Sequence, residues 1–215
     1  MNNATPDFHF ERLLQRYPDL VPCIADVKAA FKQLRECFSN GGKLLVCGNG
    51  GSAADAEHIV GELMKGFLLK RSLSEAQRAT FVETFPALGV YLANHLQHGL
   101  PAIALTGHPS LATAFANDVA ADMVFAQQVF VYGTSKDVLL GISTSGNSKN
   151  VLNALHVAKV LGITTLGLTG EEGGAMREVC DVLIRVPARD TAEVQEYHLP
   201  VYHALCSMLE AEFFG

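Results

Sequence analysis

His58 and Glu62 lie four residues apart in a stretch of helical character, so an imidazole and a carboxylate share one helix face. Two such groups can move a proton or ligate a metal ion, although the same spacing also serves an ordinary solvated surface pair. A second concentration is Ser143-Thr144-Ser145-Gly146-Asn147-Ser148, which crowds hydroxyls between an apolar run and a helical one. Hydroxyls, backbone N–H groups and a helix dipole aimed at one point suit a phosphoryl group. The plainer reading is a polar loop in which Ser148 caps the helix. A third stretch, Gly48-Asn49-Gly50-Gly51-Ser52, follows the apolar run 44–47 and opens onto an Ala-rich segment. Its glycines allow a tight turn and close backbone approach, and the free N–H groups of the helix that follows make an anion site at Asn49, Gly50, Gly51 and Ser52. Near the C-terminus, His198 and His203 are five residues apart and point about 140° away from each other on a helix. One of them is structural, and spacing leaves open which.

The elements that must position these groups alternate in kind. Apolar periodicity predicts helices over 8–17 and 20–39, a strand ending at residue 47, and a helix over 53–65. Between 66 and 100, Ser74 to Arg78 read as a capped helix start and 88–96 as a second helical piece, divided from the first by Pro86 and Gly89. A strand at 102–105, helices near 110–116 and 122–131, a strand at 138–142 and a helix over 151–161 follow. Strands at 163–168 and 182–186 and a long helix over 191–214 close the chain. Strands that are nearly all apolar and alternate with helices form a parallel sheet covered on both faces. The expectation is one domain over 1–215, a three-layer α/β/α sandwich with a five-stranded parallel sheet.

Composition narrows the function classes. The chain of 215 residues is 49% hydrophobic and 18% charged, which argues against disorder and for surface hidden in an oligomer. A net charge of -6 argues against nucleic acid as the main partner. No run of 18 apolar residues predicts a membrane span, and the segment from Met1 to Asp7 lacks a basic leader region. Cys23, Cys37, Cys47, Cys180 and Cys206 are odd in number and form no Cys-x-x-Cys pair, as in a reduced cytoplasmic protein. Gly48-x-Gly50-x-x-Ala53 matches a relaxed dinucleotide fingerprint. The next strand ends Leu105-Thr106-Gly107-His108, however, without the acid that would hold a ribose.

Three blocks together resemble the sugar isomerase (SIS) domain family, and within it the phosphoheptose isomerases. They are Cys47-Gly48-Asn49-Gly50-Gly51-Ser52-Ala53-Ala54-Asp55-Ala56-Glu57-His58 with Glu62; Leu140-Gly141-Ile142-Ser143-Thr144-Ser145-Gly146-Asn147-Ser148; and Val194-Gln195-Glu196-Tyr197-His198 with His203. The resemblance covers most of the chain outside 66–100. It implies an isomerase that interconverts sedoheptulose 7-phosphate and glycero-manno-heptose 7-phosphate through an enediolate. It further implies a homotetramer with active sites at subunit interfaces. Ser52, Ser143, Thr144, Ser145 and Ser148 would hold the phosphate, Glu62 would be the general base and His203 its acid/base partner. In several members His58, Glu62, Gln195 and His203 also coordinate zinc. The choice of His203 over His198 comes from this resemblance. Gln195 and His203 are eight residues apart, about 12 Å along an ideal helix, so both reach one ion only if Gln195 leans toward it.

The chain departs from the family's pattern in three places. The connection over 63–100 is much longer, and reads as a helical excursion that covers the site or adds to an interface. Gly107 stands where many members carry an acid, and so does Ala192. Two other readings follow: a non-catalytic relative such as the SIS regulator of replication initiation, which lacks the glutamate equivalent to Glu62, or an isomerase or sensor for another phosphosugar.

Overall fold

The computed structural model describes residues 5–215; Met1–Ala4, part of the segment read above as lacking a basic leader, lie outside them. Five strands form one sheet: β1 (Leu44–Cys47), β2 (Ala102–Ala104), β3 (Val138–Ile142), β4 (Thr164–Thr169) and β5 (Val182–Arg185). Their order across the sheet is β2-β1-β3-β4-β5, and every pairing is parallel. Because side chains alternate along a strand, Leu44 and Val46 face one layer while Leu45 and Cys47 face the other.

The first layer holds α1 (Pro6–Arg16), α2 (Ile24–Ser39), α3 (Gly51–Met64) and α9 (Thr191–Phe214), packed through Val27, Leu34, Ile59, Leu63, Val201 and Leu205. The second holds α7 (Val124–Tyr132) and α8 (Lys149–Val160), packed through Phe125, Val129, Val151 and Leu155. Side chains such as Leu44, Leu139, Leu155 and Leu166 are fully buried, each contributing about 1.5–3 kcal/mol. The expected three-layer sandwich is the observed one.

The differences from expectation are local. Residues 20–23 belong to a 3-10 turn, Pro18–Cys23, because Pro22 removes an N–H that an α-helix would use. The pieces expected near 110–116 and 122–131 are α6 (Pro109–Phe115) and α7, joined by a π-helical turn and a 3-10 turn rather than a loop. Helix α3 begins at Gly51, earlier than residue 53, since Gly50 adopts φ 55° and turns the chain straight into the helix.

The excursion over 66–100 is a helical hairpin of α4 (Glu75–Thr84) and α5 (Gly89–His95). Ser74 starts it with a capping box: its hydroxyl accepts from Gln77 N–H, and Gln77 Oε1 accepts from Ser74 N–H. At Gly89 the helices touch so closely that a Cβ would lie 2.1 Å from the carbonyl oxygen of Phe81. The hairpin is rooted beside the end of α3 by a bridge between Ser72 and Gln97 and by Gly66 N–H donating to Gln97 Oε1 at 2.7 Å. Phe85, Leu88, Val90 and Tyr91 lie exposed on it.

Candidate active site

The order β2-β1-β3-β4-β5 changes direction between β1 and β3, and open α/β sheets bind ligands in the crevice at such a switch point. The two loops singled out from sequence leave the carboxyl ends of these two strands. Asn49 and Asn150 tie them together by a reciprocal amide pair, with both N–H···O distances 2.9 Å. Ser143 Oγ lies 2.9 Å from Ser148 Oγ and accepts from Ser148 N–H at 3.4 Å. Ser148 occupies the N-cap of α8, yet its hydroxyl bonds to Ser143 and not to the helix, so the N–H groups of Lys149 and Asn150 stay available to an anion, while that of Val151 is taken by Asn150 Oδ1. Gly146 adopts φ 67° and sits against Gly173 O, where a Cβ would lie 2.1 Å away. Ser52, buried in the first turn of α3, faces the same crevice end of the sheet, while Ser145 is exposed and accepts from Asn147 N–H.

Two to three turns further along α3 is a second cluster. His58 Nε2 lies 3.1 Å from Glu62 Oε1 and 3.4 Å from His203 Nε2, so α3 and α9 bring together the carboxylate and the two imidazoles. Glu62 is 13% exposed, and its Oε2 is buried without a hydrogen-bond partner. An orphaned carboxylate oxygen in a partly closed site is an acceptor held ready for a proton. Burial, and after it the neighbouring His58, lowers the pKa of His203, which keeps the ring neutral and able both to give and to take a proton near pH 7. His58 is oriented from behind: Tyr202 Oη lies 3.0 Å from His58 Nδ1 and donates to Asp55 Oδ1 at 3.1 Å. The phenol has one proton to donate, so His58 Nδ1 donates to it in turn. The 3.1 Å contact of His58 Nε2 with Glu62 Oε1 continues the line, so Asp55, Tyr202, His58 and Glu62 stand in one chain of hydrogen-bonding groups. Groups linked in this way can relay a proton.

The structure separates the other C-terminal residues. His198 is fully buried at the end of β4 with no well-formed hydrogen bond to either ring nitrogen, and burial, only partly offset by the nearby backbone of Thr169, pushes its pKa down to about 4. It is the structural histidine of the two. Gln195 lies over the first loop, its amide nitrogen 2.6 Å from where a Gly51 Cβ would be. Within one chain it joins the phosphate cradle and not the histidine cluster. Among the described residues no three His, Cys, Asp or Glu side chains are arranged to hold a metal ion. The four donors expected for zinc do not fit one ion within a single chain. The cysteines are unsuited to act as nucleophiles: burial pushes the thiols of Cys23 and Cys37 up to about 11 and those of Cys47 and Cys180 up to about 12.

Three contributors escaped the sequence reading. Asp55, His58 and Glu62 stand at i, i+3 and i+7, a one-face pattern that includes the residue holding Tyr202. Tyr202 precedes His203 and carries no signal of its own. Asn150 lies just past the hydroxyl loop, and only the fold reveals its partner across the crevice.

The sequence profile of the SIS domain family matches residues 23–83 and 78–170, two stretches that meet inside α4. Among curated relatives, a phosphoheptose isomerase from Geotalea daltonii is 43% identical over 197 residues, covering 92% of this chain and 88% of its own. One from Trichlorobacter lovleyi is 41% identical over 191 residues, covering 89% and 84%. Among solved structures, a phosphoheptose isomerase from Francisella tularensis is 32% identical with a TM-score of 0.72, covering 95% of each chain. That from Neisseria gonorrhoeae is 33% identical with a TM-score of 0.70, covering 93% of this chain and 97% of its own. With its profile match, these curated relatives and these solved structures in agreement, the chain belongs to the SIS domain family.

Proposed function

We propose that this protein is a phosphoheptose isomerase, interconverting sedoheptulose 7-phosphate and glycero-manno-heptose 7-phosphate. The observation that carries the reading is Glu62: a partly buried carboxylate with one oxygen that accepts no hydrogen bond and lies 3.8 Å from Lys65 Nζ, its other oxygen on His58, whose Nε2 also meets His203. Moving a carbonyl between adjacent carbons requires removing a proton from one carbon and returning it to its neighbour. Glu62 takes the carbon-bound proton, generating an enediolate, and returns it to the adjacent carbon. His203 transfers a proton between the two oxygens, so that the old carbonyl becomes a hydroxyl and the old hydroxyl a carbonyl. Ser52, Ser143, Thr144, Ser145 and Ser148 hold the phosphate with the N-termini of α3 and α8. A non-catalytic phosphosugar sensor has no need of a carboxylate held in this way.

The phosphate cradle and the proton-moving cluster stand at opposite ends of α3, about 15 Å apart along the helix axis between Ser52 and Glu62. This separation supports a working site completed between copies of the chain, the cradle of one facing Glu62 and His203 of another, as in a homotetramer. Gln195, at the cradle, would then approach another copy's histidines. No helix of the described residues is long and apolar enough to cross a membrane. The five free cysteines suit a reducing cytoplasm.

The test uses purified protein and sedoheptulose 7-phosphate. Glu62→Gln keeps a hydrogen bond to His58 but removes the base, and turnover should fall about 10²–10⁴-fold while phosphosugar still binds. A Gln variant with full turnover would refute the assignment. Glu62→Gln chains mixed with Ser143→Ala/Ser148→Ala chains should regain activity if sites are shared between copies, and a mixture as inactive as its parts would place each site within one chain. Repeating the assay with a chelator decides whether zinc takes part.

A further inference from the structure

The chain that leaves Glu62 returns to it through a buried ion pair. Arg71 Nε donates to Glu210 Oε1 at 2.9 Å, and the two side chains are 0% and 1% exposed. The other arginine nitrogens reach the end of α3, Nη1 donating to the carbonyl of Leu63 at 2.6 Å and Nη2 to the carbonyl of Glu62 at 3.2 Å. Carbonyls in the last turn of a helix have no partner within it, and a planar guanidinium can serve two at once. Glu210 in turn accepts from the backbone N–H groups of Phe67, Leu68 and Leu69 at 2.8, 2.7 and 3.1 Å. The Phe67 ring rests on His203, with centroids 5.4 Å apart. One arm of this bridge therefore ends on the backbone of Glu62, and the other on the residue packed against His203.

We infer that Arg71 and Glu210 are positioning residues that set the spacing between Glu62 and His203, and through it the rate of proton transfer. This rests on the reading of Glu62 as the base. A buried ion pair is by itself weak support for stability, because apolar packing can replace it. The carbonyl of Leu63 also accepts from Leu100 N–H at 2.9 Å, but apolar side chains could not serve the carbonyl of Glu62 and three loop N–H groups together. Neither Arg71 nor Glu210 bonds to the loops at 48–52 or 143–148, so the pair bears on turnover and not on phosphate affinity.

The test is Arg71→Lys, which keeps the charge but replaces a fork with a single ammonium unable to span Glu210 and both carbonyls. A displacement of the base near 1 Å should lower kcat about 10–100-fold. KM for the phosphosugar should stay within about 2-fold, since uniform binding is untouched. A crystal structure of the variant should show Glu62 Oε1 withdrawn from His58. Asp137→Asn is the control for general destabilisation: it weakens the bridge of Asp137 to Lys43, which bonds to neither Glu62 nor His203, and should lower Tm without lowering kcat. The inference is overturned if Arg71→Lys loses no more kcat than Asp137→Asn at equal loss of Tm, or if the Glu62 to His58 contact persists in its crystal structure. A wild-type protein inert toward every phosphosugar would overturn the isomerase reading alone, and the crystal structure would then decide the positioning role.

Discussion

Lowering the pH from 7 to 4.5 should weaken the fold by about 2–3 kcal/mol through a single side chain, His198. Its ring is fully buried, and that burial, opposed only by the backbone of Thr169, holds its pKa at about 4 against 6.5 for a free histidine. The folded chain therefore stays unprotonated while the unfolded chain takes up a proton below pH 6.5. Above that value neither state is charged and the group is silent. Between pH 6.5 and 4 the unfolded state binds the extra proton, so stability falls by about 1.4 kcal/mol per pH unit. Against a typical total of about 5–15 kcal/mol this is a large share. Replacing the ring in His198→Leu removes both the orphaned nitrogens and the proton, so the variant should be no less stable at pH 7 and more stable than wild type at pH 4.5. Urea unfolding of both proteins, at one protein concentration and a series of pH values, measures the difference. Asp137 and Asp181, whose pKa values are lowered, lose their contributions as pH falls below the carboxylate range, equally in both proteins. Parallel pH profiles for wild type and variant would refute the argument.

Other outcomes follow from the site. Asn150→Ala removes both hydrogen bonds across the crevice and should raise KM for the phosphosugar about tenfold, with kcat little changed, in steady-state kinetics. Tyr202→Phe deletes the hydroxyl between Asp55 and His58 and should lower kcat about tenfold, read in the same assay; an unchanged kcat would mean that His58 needs no orientation from behind. Gly146→Ala forces a left-handed residue against the Gly173 carbonyl and should cost about 2–4 kcal/mol in denaturant unfolding.

The sheet and most helices were legible because their signals are local: four apolar residues in β1, period-3.6 patterning in α2, and the Ser74/Gln77 capping box of α4. The two candidate loops were legible for the same reason, since glycines and hydroxyls crowd into a few consecutive residues. What periodicity did not supply was pairing between distant segments. Nothing in the spacing of His198 and His203 tells which faces α3, and nothing near Asn150 announces Asn49, because both depend on how neighbouring strands and helices are set side by side. The partners of Arg71 were hidden likewise, with Glu210 standing 139 positions away along the chain.

Helix α3 acts as a ruler as well as a scaffold. Its fourteen residues hold the grip for the phosphate at one end and the proton machinery at the other. If sites are shared between copies as proposed, a newly made chain would own a full set of tools and still be dormant, and catalysis would begin only on meeting its own kind. Specific activity measured on progressive dilution would then report assembly as faithfully as chemistry.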